Sequence, residues 1–91
     1  MYTLVWTAHF TRAAKKFSTH HPELKKKLAR IFIDLEKDPF QPHLDYHHLS
    51  GKQSGIQAVS ITDSYRLALT VMITKKEIIL LDIGSHDEVY R

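Results

Sequence analysis

Apolar residues recur with a helical period in the first half of the chain. In residues 10–17 the bulky positions fall on one face of a helix: Phe10, Ala13, Ala14 and Phe17. Thr7 precedes this segment and is expected to cap it. A second helical pattern starts at Pro22, which suits a first helical turn, and ends before Pro39. The pattern predicts two antiparallel helices joined by a short turn.

The remaining apolar segments have the composition of β-strands. Residues 2–6 are rich in β-branched and aromatic residues, and residues 65–73 alternate large apolar with polar or small side chains. Residues 56–61 form another predicted strand, and residues 78–83 are nearly all apolar, as in a strand flanked on both sides. The predicted helices and most of the predicted strands occupy separate parts of the chain, so the predicted fold class is α+β. The element order is β-α-α-β-β-β-α. A helical hairpin is expected to pack on one face of a mainly antiparallel four-stranded sheet and to leave the other face comparatively bare.

Length and composition indicate an ordinary globular protein. The chain has 91 residues, of which 43% are hydrophobic and 25% charged, so residues 1–91 are expected to form a single domain. The sequence contains no cysteine, which excludes disulfides and thiolate metal sites. No segment approaches the length of a membrane span, and we expect a cytoplasmic protein without membrane contact.

Positive charge is concentrated in the first half of the chain. Residues 1–37 contain eight Lys/Arg and three Asp/Glu, whereas residues 38–91 contain five and seven. The second predicted helix carries a basic face: Lys25, Lys26, Lys27 and Arg30. Such a face can bind the phosphates of a nucleic acid, or it can be a solvated surface, and the pattern alone leaves both interpretations open.

Period-two geometry places Arg66 on the sheet face turned away from the helices. If Leu67 faces the core, Arg66 shares the open face with Ala58 and Ser60. An arginine in the middle of a strand among small residues is a candidate functional group rather than a simple solubilising charge. The alternative is an ion pair with Asp63 or with a C-terminal acid.

The last residues combine a helix start with groups suited to chemistry. Ser85 and Glu88 have the spacing of a capping box. His86 has a side chain suited to proton transfer near neutral pH, and Tyr90 lies four residues later, on the same side of a helical turn. The alternative is structural: His86 ends a helix and Tyr90 packs at the edge of the core. Seven histidines occur without a metal-binding motif or a phosphate-binding glycine loop, so neither a metal nor a cofactor is expected.

Three motifs occur in succession in the second half of the chain: "HHLSG" at 47–51, "SITDSYRLALTV" at 60–71 and "LLDIGSHDEVY" at 80–90. With the element order, they resemble the RelE/ParE superfamily of bacterial type II toxins, most closely its YafQ-like and RelE-like messenger-RNA interferases. The resemblance implies a ribosome-dependent endoribonuclease that cleaves messenger RNA in the A site by attack of the 2′-hydroxyl, without a metal. It also implies a cognate antitoxin, the ribosome and messenger RNA as partners, and no small-molecule cofactor.

The resemblance also assigns roles to individual residues. It implies that His47 and His86 are the acid and the base, in either order, and that Arg66 binds phosphate. Tyr90 corresponds to a nearby aromatic group. The further RNA contacts implied are the basic face of the second helix and two residues near the motifs: Lys52 and Asp63. The chain departs from the YafQ-like pattern at Ser60, where a histidine is expected, and the hairpin acid is displaced to Asp63.

Two other functions fit the same motifs. ParE-like toxins share the fold and inhibit DNA gyrase, but they lack the two histidines seen here as His47 and His86. A non-catalytic relative that only binds an antitoxin is the third interpretation. Within the last segment, Ser85 and Glu88 are expected to affect stability, and His86 and Tyr90 to affect cleavage. Loss of the residues after Gly84 is expected to leave a folded but inactive protein.

Overall fold

The computed structural model describes residues 1–49 and 55–89. Two predicted site residues, Lys52 and Tyr90, lie outside these ranges. The described chain forms three helices and five strands: β1 (Thr3–Trp6), α1 (Ala8–His20), α2 (Lys25–Lys37), β2 (His47–His48), β3 (Gln57–Ser60), β4 (Tyr65–Met72), β5 (Glu77–Ser85) and α3 (His86–Val89).

The strands form one sheet in the order β1-β5-β4-β3-β2. The predicted α+β fold is confirmed, but the sheet has five strands rather than four, because His47 and His48 pair with β3. The sequence does not predict this strand, since a pair of residues has no detectable period. All pairings are antiparallel except that of β1 with β5, which is parallel.

The two predicted helices begin and end close to where the sequence indicates. Thr7 caps α1, its Oγ1 accepting from the Phe10 amide at 3.1 Å. The same hydroxyl donates to the Leu80 carbonyl at 2.8 Å, which fixes the start of α1 against β5. Pro22 opens a turn of 3₁₀ helix that leads into α2, and Asp38 ends α2 before Pro39. The hairpin therefore lies over β1 and β5.

One large core lies between the hairpin and the sheet. Its sheet side is formed by alternate residues of three strands, which confirms that Leu67 and Leu69 face the helices. Phe10 is fully buried there and contacts the rings of Trp6 and Phe32. This side of the sheet holds nearly all of the large buried apolar side chains.

The opposite face is not as bare as predicted. Ala58 and Ala68 are buried there under Leu49 and Val89, in a second and smaller cluster. Small residues on the two strands leave room for these side chains to lie close to the sheet. Since Val89 covers Ala58 and Ala68, removal of the residues after Gly84 would uncover this apolar surface.

A β-bulge interrupts the pairing of β4 with β5. Ala68 pairs with Asp82 and Leu69 with Leu80, so Leu81 is an additional residue in β5. The bulge lets Leu80 and Ile83 both face the large core, although they are three positions apart and a regular strand would turn them to opposite faces. Among the described residues, no helix is long and apolar enough to cross a membrane.

Candidate functional site

Arg66 lies on the open face of β4, between Ser60 of β3 and Gly84 of β5. Its Nη1 donates to three carbonyls of its own hairpin turn: those of Thr62, Asp63 and Tyr65. The Nε atom is buried and has no hydrogen-bond partner. The guanidinium is thus held at one corner while another of its donors remains unsatisfied.

The predicted alternative for Arg66, an ion pair with Asp63, does not form in the described part of the chain. Arg66 contacts the carbonyl oxygen of Asp63, at 3.1 Å, and not its carboxylate. The Asp63 side chain is exposed at the turn. A carbonyl carries no net charge, and no carboxylate of the described residues lies within ion-pair distance of Arg66.

The same turn positions His86. The backbone amide of His86 donates to the Ser64 carbonyl at 3.1 Å, immediately after β5 ends. The side chain is half exposed, and its Nδ1 lies 3.7 Å from an Asp87 carboxylate oxygen. Residues 62–64 therefore bind Arg66 through two carbonyls and His86 through a third. This turn places the guanidinium and the imidazole at one end of the sheet.

The predicted capping box is confirmed. The Ser85 amide donates to Glu88 Oε1 at 2.8 Å, and the Glu88 amide donates to Ser85 Oγ at 3.3 Å. Gly84 is required for this arrangement, since a Cβ there would lie 2.9 Å from Glu88 Oε1. The box fixes the start of α3, and with it the position of His86.

His47 lies on the far side of Arg66. It pairs with Ala58 in the edge strand β2, and its Nδ1 is 2.8 Å from the Asp45 carbonyl oxygen. Directly paired residues share a face, so His47 faces the same side of the sheet as Ala58. Two strand spacings, about 10 Å in all, separate β2 from β4. The structure brings His47, Arg66 and His86 to one side of the sheet, with Arg66 between the histidines.

Asp45 is a residue that the sequence reading missed. Its backbone adopts a left-handed conformation, with φ of 53°, and its Oδ2 accepts from Ser60 Oγ at 3.1 Å. Ser60 is the direct partner of Arg66, so Asp45 lies in the same row of side chains. The signal in the sequence was weak: an aspartate before "YHH" in a loop rich in turn-forming residues.

Tyr46 immediately precedes His47 in the chain. Burial raises the pKa of its phenol above the ordinary value of 10.0, and the nearby Tyr2 adds to the effect. Its ring contacts those of Phe40 and His48, at centroid distances of 4.8 and 5.6 Å. The Tyr46 ring packs against the large core, so it turns away from the open face.

The basic residues of α2 do not join this site. All four are exposed, and Arg30 Nε lies 3.7 Å from an Asp34 carboxylate oxygen: Lys25, Lys26, Lys27 and Arg30. They belong to the helix-bearing side of the sheet, whereas Arg66 lies on the other side. In the described residues, no group of three or more histidines and carboxylates is arranged to hold a metal ion.

Solved structures that resemble the chain share its whole architecture. A copper-bound variant of a toxin from Helicobacter pylori is 27% identical, with a TM-score of 0.79 over 98% of this chain and 99% of that one. YafQ from E. coli is 14% identical, with a TM-score of 0.82 over the full length of both chains. The toxin–antitoxin complex RelBE2 from Mycobacterium tuberculosis contains a chain that is 19% identical, with a TM-score of 0.73 over 93% of this chain and 98% of that one.

The chain has the fold of the RelE/ParE-type toxins. The resemblance predicted from the sequence motifs is thereby confirmed. No protein-family model matches the chain, and no curated protein matches it by sequence. The RelE/ParE-type fold therefore has to be recognised from three-dimensional structure and short motifs. The similarities show that the chain shares its fold with these toxins, of which the Helicobacter pylori protein is 27% identical.

Proposed function

We propose that the chain is the toxin of a type II toxin–antitoxin system and acts as a ribosome-dependent endoribonuclease on messenger RNA. The observation that supports this most strongly is the state of Arg66. Its buried Nε has no partner, and its positive charge is not neutralised among the described residues. A buried unsatisfied donor costs about 1–3 kcal/mol, and such groups in native proteins call for a functional explanation. A phosphate oxygen would satisfy it once the groups that cover Nε move aside.

The positions of the two histidines suit cleavage by the RNA's own 2′-hydroxyl. In that reaction one group removes the 2′-hydroxyl proton while another protonates the departing 5′-oxygen, on opposite sides of the phosphorus. His47 lies in β2, across β3 from Arg66, whereas His86 follows the end of β5, the strand on the other side of β4. Imidazoles titrate near neutral pH, so both proton transfers are accessible to them.

In the proposed reaction, the 2′-oxygen forms a bond to phosphorus and the 5′-oxygen leaves, which gives a 2′,3′-cyclic phosphate. One histidine takes the proton of the nucleophile, and the other donates a proton to the leaving oxygen. Arg66 would stabilise the additional negative charge that develops on the phosphate oxygens. The ribosome would present the message in its A site, and the basic face of α2 is proposed to contact ribosomal RNA. Lys52 is proposed to bind the message, and Tyr90 to take part in cleavage.

An antitoxin is the proposed protein partner. The Mycobacterium tuberculosis structure is described as a toxin–antitoxin complex, and its toxin shares this fold. In this chain the second edge of the sheet, β2, is only two residues long and leaves backbone groups of β3 at the border of the sheet. Such an edge can accept a strand from another protein.

The test is to map messenger-RNA ends on ribosomes that have been supplied with the purified chain. Wild type should cut within the A-site codon and leave a cyclic phosphate. Arg66→Ala, Arg66→Lys and His86→Ala should reduce the cleavage rate by about 10² to 10⁴. His47→Ala has a matched control in His48→Ala, because the two residues are adjacent in β2 and alternate in facing. Only His47→Ala should be impaired.

Two outcomes would contradict this proposal. Intact messages combined with loss of DNA supercoiling by gyrase would assign the chain the activity of ParE-like toxins. Intact messages and unaffected gyrase, combined with binding to an antitoxin, would identify a non-catalytic relative. Circular dichroism of each variant separates loss of chemistry from loss of fold, since Arg66 also holds the turn at residues 62–64.

A further inference from the structure

A groove of about 500 Å³ lies between α1 and the end of β5, beside the candidate site. One wall is a row of basic and imidazole side chains at helical spacing on α1: His9, Arg12, Lys16 and His20. The other wall contains Asp82 and Glu88. The sequence reading assigned no role to the basic residues of α1.

The cations of this wall are not neutralised within the described part of the chain. In that part of the chain, no carboxylate lies within ion-pair distance of Arg12, Lys16 or His20. The nearby ion pairs are those of His9 with Asp82 and of His21 with Glu23. Arg12 and Lys16 are exposed, so keeping them charged costs little. The groove thus offers at least two positive charges one helical turn apart to an anionic ligand.

The floor of the groove is aromatic. Phe17, His21 and Tyr65 pack in a cluster, with His21 at 4.7 Å from the Phe17 centroid and 4.5 Å from the Tyr65 centroid. All three line the groove, and the His21 side chain keeps 25% of its surface exposed. Aromatic surfaces next to cations are the usual elements with which proteins bind single-stranded RNA: bases stack, and phosphates contact the charges.

The acidic residues of the groove accept hydrogen bonds from an edge of β5. β1 pairs with β5 only as far as Leu80, so in the described structure no strand covers the edge beyond it. Two amides on that edge are instead bound by carboxylates: Ile83 by Asp82 Oδ1 and Ser85 by Glu88 Oε1, each at 2.8 Å. These hydrogen bonds offset part of the negative charge, and carboxylate oxygens are natural acceptors for the amino groups of bases.

The groove is also continuous with the candidate site. Gly84 lines the groove and is the direct strand partner of Arg66. Paired residues of adjacent strands lie about 5 Å apart, so the groove begins close to the backbone of Arg66. An RNA chain bound at Arg66 would therefore reach the groove with a nucleotide near the one that is cut.

We infer that this groove binds a nucleotide of single-stranded RNA, with phosphate at Arg12 and Lys16 and the base against His21 and Tyr65. The inference rests on the proposed ribonuclease function, because that function supplies the RNA. It adds a binding surface on α1 that is separate from Arg66 and from the basic face of α2. The groove would fix the register of the message relative to the cleavage point.

The test uses the purified full chain and a short single-stranded oligoribonucleotide, without ribosomes. Amide shifts in a ¹⁵N-labelled sample should move along α1 and at residues 82–85. The matched pair is Lys16→Ala and Lys15→Ala, since both lysines are exposed neighbours in α1 and only Lys16 lines the groove. Arg12→Ala/Lys16→Ala should weaken binding about tenfold or more. A plot of the log of the binding constant against the log of salt concentration has a negative slope. Lys16→Ala alone should make that slope shallower by about 0.7, as expected for one lost phosphate contact.

Several results would overturn the inference. Equal effects of Lys15→Ala and Lys16→Ala would do so, as would shifts confined to the β3–β4 hairpin. If a polyglutamate peptide moves the groove amides and RNA does not, the groove belongs to a protein partner. The proposed function can fail separately: uncut messages on ribosomes, together with RNA binding that depends on Lys16, would remove the nuclease activity and leave the groove assignment standing.

Discussion

The two sides of the sheet are built from different kinds of residue. The helix-bearing side holds large apolar side chains such as Phe10, Leu69 and Leu80, all fully buried. The opposite side holds small residues, an arginine with an unsatisfied donor and two flanking histidines. One side supplies most of the apolar burial that stabilises the fold, and the other carries the polar groups that suit phosphate chemistry.

This difference shows how a chain of 91 residues can accommodate a functional site. A short chain has room for one substantial core, so a site must lie on a surface that the core does not need. Ala58 and Ala68 have small side chains that project little from the open face, and Val89 and Leu49 cover only the middle of that face. Arg66 and the histidines can therefore remain polar and accessible around the rim of this small cluster.

The largest expected effect tests the helix-bearing side. Phe10→Ala should lower the free energy of unfolding by about 3–5 kcal/mol, because it empties a fully buried position against the rings of Trp6 and Phe32. Urea denaturation measures the change. Lys15→Ala on the exposed side of the same helix is the control and should stay within about 0.5 kcal/mol of wild type. A loss below about 1 kcal/mol for Phe10→Ala would contradict this account of the core.

A smaller effect is expected from the open side. Val89→Ala should lower the free energy of unfolding by about 1–2 kcal/mol, since it removes two methyl groups from the small cluster over Ala58 and Ala68. Asp87→Ala in the same helical turn is the control, because that side chain is fully exposed. If Val89→Ala costs as much as Phe10→Ala, the two sides contribute comparably and the contrast drawn between them is wrong.

The smallest effect concerns pH. Burial, and then Tyr2, raises the pKa of Tyr46 above 10.0, so the folded state favours the neutral phenol more than the unfolded state does. The stabilisation is fully present below the unfolded pKa of about 10 and is lost as pH rises through the higher folded value. Unfolding measured from pH 8 to 11 should show a steeper loss for wild type than for Tyr46→Phe. Parallel curves for the two proteins would show that Tyr46 is not buried as described.

Local patterns predicted much of this architecture. The helix ends could be predicted from three residues: Thr7 before the apolar face of α1, Pro22 in the first turn leading into α2, and Pro39 after the end of α2. Caps and prolines act on the residues next to them, so a local pattern is enough to indicate them. Alternation in β4 correctly separated Leu67 from Arg66, since successive side chains of a strand point to opposite faces. The Ser85–Glu88 capping box could be predicted for the same reason.

Other features depend on contacts between distant segments. The two-residue strand at His47 exists only because it pairs with β3. The Asp45 side chain is held by a hydrogen bond from Ser60, fifteen residues away. The covering of Ala58 and Ala68 by Leu49 and Val89 likewise joins three separate parts of the chain. Short segments of this kind carry no period, and so no pattern in the sequence indicates them.

By itself, the sequence determined the helices, the longer strands and the residue types on each face, because these follow from neighbours at spacings of two to four residues. Only the tertiary structure decided that Arg66 has an unsatisfied Nε and that His47 and His86 flank it. It also decided that Arg12 and Lys16 border a groove that reaches Gly84. These relations depend on strand order and on the point where β1 ends, and long-range pairing sets both.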